Sequence, residues 1–290
     1  MNKSLGFIGI GLMGQPMTLR LLAAGYTVNI WNRSTEKLGA VITAGAVHCT
    51  SIADLMAKSD IILLCLADTP IVEKIVNEHI LVHGSKDKLL IDLSSTHPEK
   101  TRELAQLLQD NCTMDWVDAP VSGGVAGATN GSLAIMAGGS EKSVQIARDV
   151  LKPLYSQLTH MGAVGSGQVT KVCNQMIVSC NVLVIAEMIA LAEKSGVDSS
   201  KIADALAGGF ADSKPLQIIA PEMANSNFTP VKWRVKTLLK DLNMATDLAS
   251  TQSTATPMSA LAAQLMQLHG SHGFLEHDPA TLIKLYNDKK

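Results

Sequence analysis

The chain has 290 residues, of which 47% are apolar, 17% charged and 3% aromatic, with a formal net charge of −2. This length favours two domains or one large one, and the low aromatic content predicts a core of mostly aliphatic residues and methionine. The small net charge gives no electrostatic case for a nucleic-acid or anionic-membrane partner. No stretch reaches ~18 apolar residues without polar interruption, and the N-terminal apolar run has no cleavage site for a signal peptide. We therefore expect a cytoplasmic protein.

The first ~160 residues alternate short apolar runs with amphipathic stretches. Strands are predicted at 5–10, 27–31, 60–67, 88–95, 113–120, 133–139 and 158–162. Helices are predicted between them at 12–24, 51–58, 70–82, 98–109 and 141–152. The runs are aliphatic on both faces, which is typical of parallel strands covered by helices. The alternation predicts a doubly wound α/β (Rossmann) domain over 1–163.

The strand pattern stops near residue 165, and only helical periodicity follows. Helices are predicted at 168–194, 199–207, 214–224, 235–250, 256–268 and 279–287. We therefore predict an all-helical domain over 164–290 for substrate binding and dimerisation, joined to the first by the long helix. Because an amphipathic helix of this length usually packs against a partner, we expect a homodimer or homotetramer.

The sequence GIGLMG contains Gly9, Gly11 and Gly14 in the spacing GxGxxG, between a predicted strand and a predicted helix. In a dinucleotide site these glycines allow a tight turn, a close approach of the pyrophosphate, and helix–strand contact. The pyrophosphate would rest on the N–H groups of the helix start, which includes Leu12 and Met13. The alternative is a tight strand–helix turn without a ligand.

The second predicted strand ends in WNRST, which carries Asn32, Arg33 and Ser34. An NAD site usually has Asp or Glu here to bind the ribose hydroxyls. Without that carboxylate, Arg33 can pair with a 2′-phosphate and Ser34 can donate to it. This favours NADP(H) over NAD(H); the alternative is a solvent-exposed arginine in a turn.

Lys171 lies at the start of the long apolar helix, after a glycine-rich segment. Reduction of a carbonyl builds negative charge on oxygen, and a lysine can donate the proton or stabilise the alkoxide. Asn174, one turn further on, can orient the lysine or a substrate oxygen. The alternative is a lysine whose charged end reaches water near a helix terminus.

Two further stretches carry polar groups in apolar surroundings. In DAPVSGG, the Ser122 hydroxyl and the backbone N–H groups near Gly123 and Gly124 suit a substrate carboxylate. In LLKDLNMA, Lys240 and Asp241 interrupt an apolar helix. An exposed ion pair is the alternative for these two charges.

Four segments in this order, GFIGIGLMGQPM, DAPVSGG, GSGQVTKVCNQ and KDLNMA, resemble the β-hydroxyacid dehydrogenases over essentially the whole chain. This family includes 3-hydroxyisobutyrate dehydrogenase, tartronate semialdehyde reductase and glyoxylate/succinic semialdehyde reductase. The segments NQMIVSCN, AGGFADS and APEMANSNFTP look most like tartronate semialdehyde reductase, whereas WNRST looks more like the glyoxylate/succinic semialdehyde reductases.

The resemblance implies an NAD(P)-dependent oxidoreductase with Lys171 as catalytic residue. It implies that Asn174 and the Ser122–Gly124 turn contact substrate, and that Lys240 lies near the cofactor. Residues implied to line the nicotinamide side are Leu66, Ala67 and Thr96. A cofactor-binding module without turnover is the non-enzyme alternative.

Neither the cysteines nor the histidines form a pattern typical of a metal site or a disulfide framework. The cysteines are Cys49, Cys65, Cys112, Cys173 and Cys180. They are widely spaced and form no CxxC pair, so free thiols are expected. His79 and His83 have helical metal-ligand spacing but no third ligand, so no metal is expected.

Overall fold

Short aliphatic runs in the first half of the chain form one sheet, in a computed structural model that describes residues 3–287. Its strands are β1 (Leu5–Ile8), β2 (Val28–Trp31), β3 (Val47–His48), β4 (Ile61–Leu64), β5 (Leu89–Asp92), β6 (Asp115–Asp118), β7 (Val121–Ser122), β8 (Leu133–Gly138) and β9 (Tyr155–Gly162). Their order is β3-β2-β1-β4-β5-β6-β8-β7, and β9 pairs with β8. Strands β1 to β6 are mutually parallel, which confirms the predicted Rossmann-like sheet.

Helices connect these strands. They are α1 (Gly14–Ala23), α2 (Gly39–Thr43), α3 (Ile52–Lys58), α4 (Thr69–Ile75), α5 (Leu81–His83), α6 (Pro98–Cys112), α7 (Gly124–Asn130) and α8 (Glu141–Val150). A π-helical turn joins α4 to α5, and this composite occupies the predicted helix at 70–82. The elements that the sequence did not predict, β3, β7, α2 and α7, have seven residues or fewer, too few to show a clear period.

One edge of the sheet differs from the prediction of a parallel sheet. Strand β8 runs antiparallel to β6, where Asp118 pairs with Gly138, and antiparallel to β7. The connection from β6 contains only β7 and the seven-residue α7. At Gly131 the backbone is left-handed, with φ of 67°, and the chain turns back into β8. This link does not make the long crossover that a parallel pair needs.

The central strands bury both faces, as their aliphatic composition predicts. In β4, Ile61 and Leu63 join one apolar cluster, whereas Ile62 and Leu64 join another. All four side chains are fully buried. Because successive strand residues point to opposite faces, the sheet is covered by helices on both sides.

The chain divides into two compact units, one ending at Lys171 and the other beginning at Val172. Within the described residues, the second unit contains helices joined by turns and loops, and no strand. The α-helices are the continuation of α9 (Ser166–Lys194), then α10 (Ile202–Leu206), α11 (Lys214–Ala224), α12 (Val235–Thr251) and α13 (Pro257–His269). The predicted helix at 279–287 is instead a 3₁₀ helix at Pro279–Leu285, where the N–H of Thr281 bonds the Asp278 carbonyl three residues back at 2.9 Å.

Helix α9 contributes the centre of the apolar core of the second unit, with Val182, Ala186 and Ile189 buried. By length and composition, α9 could also cross a membrane, since its most apolar 18 residues have a mean hydropathy of 1.9. In this window 44% of the helix is buried. A core helix of a folded domain has the same properties, so composition alone does not indicate a membrane span.

Candidate active site

The three glycines of the turn after β1 differ in their steric surroundings. Gly9 has a left-handed φ of 104°, and a Cβ there would collide with the Cys65 carbonyl oxygen. At Gly14 a Cβ would collide with the Gly9 carbonyl and lie 3.2 Å from the Phe7 ring. At Gly11 a Cβ would meet nothing within 4 Å. The outer two glycines therefore shape the turn, and the middle one leaves open space.

This open space lies at the N-terminus of α1. The N-cap residue, Met13, makes no side-chain capping hydrogen bond, and the first turn of the helix carries no acidic residue. Leu12, in the turn, is 65% exposed. Uncapped N–H groups and the positive end of the helix dipole favour an anion. The turn therefore fits a dinucleotide pyrophosphate.

Asn32, at the end of β2, holds the glycine turn and the following loop together. Its Oδ1 accepts a hydrogen bond from Ile10 N at 3.0 Å, and its Nδ2 donates to Ser34 O at 2.8 Å. An acidic residue could accept the first bond but could not make the second. Asn32 is thus a structural reason for the absence of a ribose-binding acid here.

Arg33 and Ser34 follow at the carboxyl end of β2. The Arg33 side chain is exposed, and Ser34 is half-buried. Within residues 3–287, no salt bridge to an acidic side chain involves Arg33. A guanidinium with this exposure can pair with a phosphate from solvent.

The Ser122–Gly124 turn connects β7 to α7. Gly123 and Gly124 are exposed and have φ of 134° and 60°, conformations that favour glycine. Ser122 is half-buried and pairs with Ala134 of β8. The left-handed backbone turns the chain sharply before α7, and this exposed turn can present N–H groups to a carboxylate.

The remaining predicted residues of the first unit follow strands β4 and β5 or lie near the start of α9. Leu66 donates its backbone N–H to Ser94 Oγ at 2.9 Å, while Ala67 is exposed. Thr96 is buried, and its hydroxyl lies 2.9 Å from that of Thr101. The half-buried Lys171 is in the second turn of α9.

Two buried carboxyl groups, which sequence reasoning missed, lie at the ends of β5 and β6. Asp92 and Asp118 are neighbours in the parallel register, and both are fully buried. Burial raises the pKa of Asp92 to about 7 despite hydrogen bonds from Ser94. Burial also raises the pKa of Asp118, while backbone N–H groups of Gly165 and Gln168 oppose this rise. The sequence signal that could have identified each of them is an aspartate that directly follows a short apolar run.

The second unit contains Asn174 and Lys240, within a chain of polar contacts. Asn174 Nδ2 donates to Gln175 Oε1 at 2.7 Å, and Gln175 Nε2 donates to Asp241 Oδ2 at 2.6 Å. Lys240 Nζ lies 3.3 Å from Asp241 Oδ1. The Asp241 side chain is only 2% exposed, so the alternative of an exposed ion pair is wrong. Sequence reasoning gave Gln175 no role.

The cysteines and histidines are the candidate residues for a disulfide or a metal site. All five cysteines are free, with Cys49 buried and Cys173 exposed. Within the described part of the chain, no group of three or more His, Cys, Asp or Glu side chains is arranged to hold a metal ion. His79 is half-buried in the π-helical turn, and His83 is exposed.

Comparison with known proteins decides the family. A family model described as the NAD binding domain of 6-phosphogluconate dehydrogenase matches residues 4–162. A second, described as NAD-binding of NADP-dependent 3-hydroxyisobutyrate dehydrogenase, matches residues 165–286. The chain belongs to the β-hydroxyacid dehydrogenase family. It is an NAD(P)-dependent oxidoreductase.

Similar β-hydroxyacid dehydrogenases match along nearly the whole chain. The 2-hydroxy-3-oxopropionate reductase of Escherichia coli is 33% identical over 97% of this chain and 96% of its own. The 2-(hydroxymethyl)glutarate dehydrogenase of Eubacterium barkeri is 30% identical over 99% and 96%. The structure of Mycobacterium tuberculosis 3-hydroxyisobutyrate dehydrogenase with L-serine is 28% identical, with a TM-score of 0.88 over 98% and 99%.

Proposed function

We propose that this β-hydroxyacid dehydrogenase is an NADPH-dependent reductase of tartronate semialdehyde (2-hydroxy-3-oxopropionate). The observation that carries the proposal is its 33% identity to the Escherichia coli reductase of that name, over 97% of the chain. The cofactor, when bound, supplies a hydride to the aldehyde carbon. The protein must then supply the oxygen with a proton and hold the carboxylate.

Four polar positions are proposed for this chemistry. Lys171 donates the proton to the developing alkoxide as a general acid. The Ser122 hydroxyl and the N–H groups of the Ser122–Gly124 turn bind the substrate carboxylate. Asn174 orients a substrate oxygen, and Lys240 contributes to cofactor binding.

The cofactor part of the proposal involves residues around the glycine turn. The pyrophosphate binds to the glycine turn, which comprises Gly9, Gly11, Leu12, Met13 and Gly14. The remainder of the cofactor contacts residues that follow β2 (Asn32, Arg33 and Ser34), residues that follow β4 (Leu66 and Ala67), and Thr96. Arg33 and Ser34 favour NADPH because Arg33 is exposed and can pair with the 2′-phosphate. The family model that matches residues 165–286 is also that of an NADP-dependent enzyme, which supports this preference.

The compounds in the names of these relatives share one chemical arrangement. Each compound has a middle carbon that carries both a carboxylate and a terminal hydroxymethyl or aldehyde group. The four compounds are 2-hydroxy-3-oxopropionate, 2-(hydroxymethyl)glutarate, 3-hydroxyisobutyrate and L-serine. They differ in the substituent on that middle carbon, which is hydroxyl, carboxyethyl, methyl or amino. We propose that a carboxylate and a terminal aldehyde at this spacing define the substrate class.

A steady-state panel with NADPH tests this function. Tartronate semialdehyde and methylmalonate semialdehyde differ only in a hydroxyl or methyl group on the middle carbon, so their kcat/KM ratio reports that substituent. Glyoxylate lacks the middle carbon, and succinic semialdehyde has one carbon more. We expect the highest kcat/KM for tartronate semialdehyde. A higher value for glyoxylate or succinic semialdehyde would support the alternative suggested by WNRST, and one for methylmalonate semialdehyde would support a 3-hydroxyisobutyrate dehydrogenase. Tight NADPH binding without any turnover would support a cofactor-binding module.

We further propose that the protein is a homodimer or homotetramer. Three large apolar residues of α9, Ile177, Val184 and Leu191, are 65%, 53% and 69% exposed. Their seven-residue spacing places them along one side of the helix, as in helix–helix contacts. Sedimentation velocity of wild type and Val184→Glu tests this, with a smaller species expected for the variant. A monomeric wild type at micromolar concentration would contradict the proposal.

A further inference from the structure

We propose that Asp118 and Gln168 are positioning residues, which fix the start of α9 and thereby the place of the Lys171 ammonium group. The proposal rests on the catalytic role proposed for Lys171. All the contacts that carry it lie within the first unit, between the first turns of α9 and the neighbouring parts of β5, β6 and β8.

Asp118 acts as a cap for α9 from a neighbouring strand. Its Oδ1 accepts from Gly165 N at 2.7 Å, and its Oδ2 accepts from Gln168 N at 2.9 Å. The first turn of α9 has no acidic residue of its own. The Asp118 carboxylate therefore satisfies N–H groups that the helix leaves unpaired and offsets the positive end of its dipole.

The side chain of Gln168 binds the same turn to the segment that follows β5. Its Oε1 accepts from Thr96 N at 3.1 Å, and its Nε2 donates to Ser94 O at 2.9 Å. Gln168 is fully buried, so water does not compete for these bonds. Ser94 also accepts from Leu66 N through its hydroxyl, at 2.9 Å. The helix start is thus connected to the residues predicted to face the nicotinamide.

Close packing supports these hydrogen bonds. A Cβ at Gly167 would collide with the Met136 carbonyl and lie 2.8 Å from the Asp118 carbonyl oxygen. The helix backbone therefore lies directly on β6 and β8. Such contact leaves little freedom for the first turn to tilt or slide.

These contacts act on Lys171 through the helix. Lys171 follows Gln168 by three residues, a rise of about 4.5 Å along the helix, so the two residues lie slightly less than one turn apart. A shift of ~1 Å at a reacting group can cost as much as ~10²-fold in rate. Loss of either contact should therefore reduce proton donation by Lys171 even when the protein folds and binds NADPH.

The first test replaces Gln168 by Met, which has nearly the same size but makes neither hydrogen bond. The matched control is Asn29→Leu, since Asn29 is also buried and donates to Lys58 O at 3.1 Å and to Ser59 Oγ at 3.0 Å, away from the carboxyl edge of the sheet. Both variants should lower the melting temperature. Only Gln168→Met should lower kcat, by ~10-fold or more, with KM for NADPH nearly unchanged.

The second test asks whether the effect passes through Lys171. In the Lys171→Ala background, Gln168→Met should lower kcat no further, because the group that it positions is gone. If Gln168→Met does not fold, Asp118→Asn enters the same cycle, since it keeps the side-chain size but replaces one acceptor oxygen by a donor.

Three results would overturn the inference. The first is a Gln168→Met variant that melts early but keeps the wild-type kcat. The second is an equal loss of kcat with and without Lys171. The third is a Lys171→Ala single variant with normal kcat; this result refutes the proposed function of Lys171 as well, so the two failures are distinguishable.

Discussion

Replacement of Arg33 by alanine should weaken NADPH binding and leave NADH binding almost unchanged. The two cofactors differ only in the 2′-phosphate, and Arg33 lies at the end of β2, where that phosphate is expected. The side chain is exposed and forms no salt bridge with an acidic side chain within residues 3–287. Its removal should therefore take away a phosphate partner without disrupting a salt bridge among these residues.

The size of the effect follows from this exposure. A hydrogen bond to a charged group contributes about 1.5–3 kcal/mol. Solvent screening weakens ion pairs at exposed positions, which places Arg33 near the lower end, at ~1.5 kcal/mol. This corresponds to about a 10-fold rise in KM for NADPH. The effect should diminish at high salt, because screening removes the contribution that the arginine makes.

Asn32→Asp should shift preference in the opposite direction. The carboxylate can still accept from Ile10 N, so the glycine turn should keep its shape. It cannot donate to the Ser34 carbonyl, which Asn32 does now at 2.8 Å. It would repel a 2′-phosphate and offer the ribose hydroxyls of NADH an acceptor. KM for NADPH should rise and KM for NADH should fall.

The assay is kcat/KM for NADPH and NADH in the wild type, Arg33→Ala, Asn32→Asp and Lys37→Ala. Lys37 is an exposed cation in the 3₁₀ turn Thr35–Lys37, so its removal controls for the loss of one positive charge nearby. Of the two variants that remove a positive charge, only Arg33→Ala should discriminate between the cofactors. A wild type that prefers NADH, or an Arg33→Ala variant that weakens both cofactors equally, would refute this reasoning.

Three further predictions concern catalysis, substrate binding and pH. Lys171→Ala should lower kcat by at least ~10²-fold with NADPH affinity retained, measured by turnover and fluorescence titration; near-normal kcat would exclude Lys171 as the acid. Ser122→Ala should raise KM for a carboxylate-bearing aldehyde and hardly affect a neutral aldehyde of similar size, and equal effects on both would contradict a carboxylate site. Burial raises the pKa of Asp92 above its ordinary value of 3.8 to about 7. Between these two pH values the folded state binds more protons than the unfolded state. The free energy of unfolding should therefore fall as pH rises from ~4 to ~7, by as much as ~4 kcal/mol. Asp92→Asn should remove much of this fall, so that its melting temperature exceeds that of wild type at pH 8; an unchanged pH dependence would show that Asp92 is not the titrating group.

The sequence by itself determined the features that depend on local spacing. The aliphatic run Ile61–Leu64 indicated a strand buried on both faces, and both faces are buried. The GxGxxG spacing indicated a turn whose glycines have separate steric roles, and the contacts at Gly9 and Gly14 show them. These properties follow from the period of strands and helices and from local sterics, so neighbouring residues suffice to predict them.

Only the tertiary structure decided how distant residues share polar contacts. Asp118 and the Gly165 N–H that it accepts from are 47 residues apart, and Gln168 and the Ser94 carbonyl are 74 apart. In the sequence Asp118, Gln168 and Ser94 are polar residues in apolar or glycine-rich stretches, and no local period assigns their partners. The antiparallel return of β8 was hidden for a similar reason, because strand direction depends on how the chain turns through α7 and Gly131. A buried polar group must find a hydrogen-bond partner, and the register of the strands and helices determines which partner lies within reach.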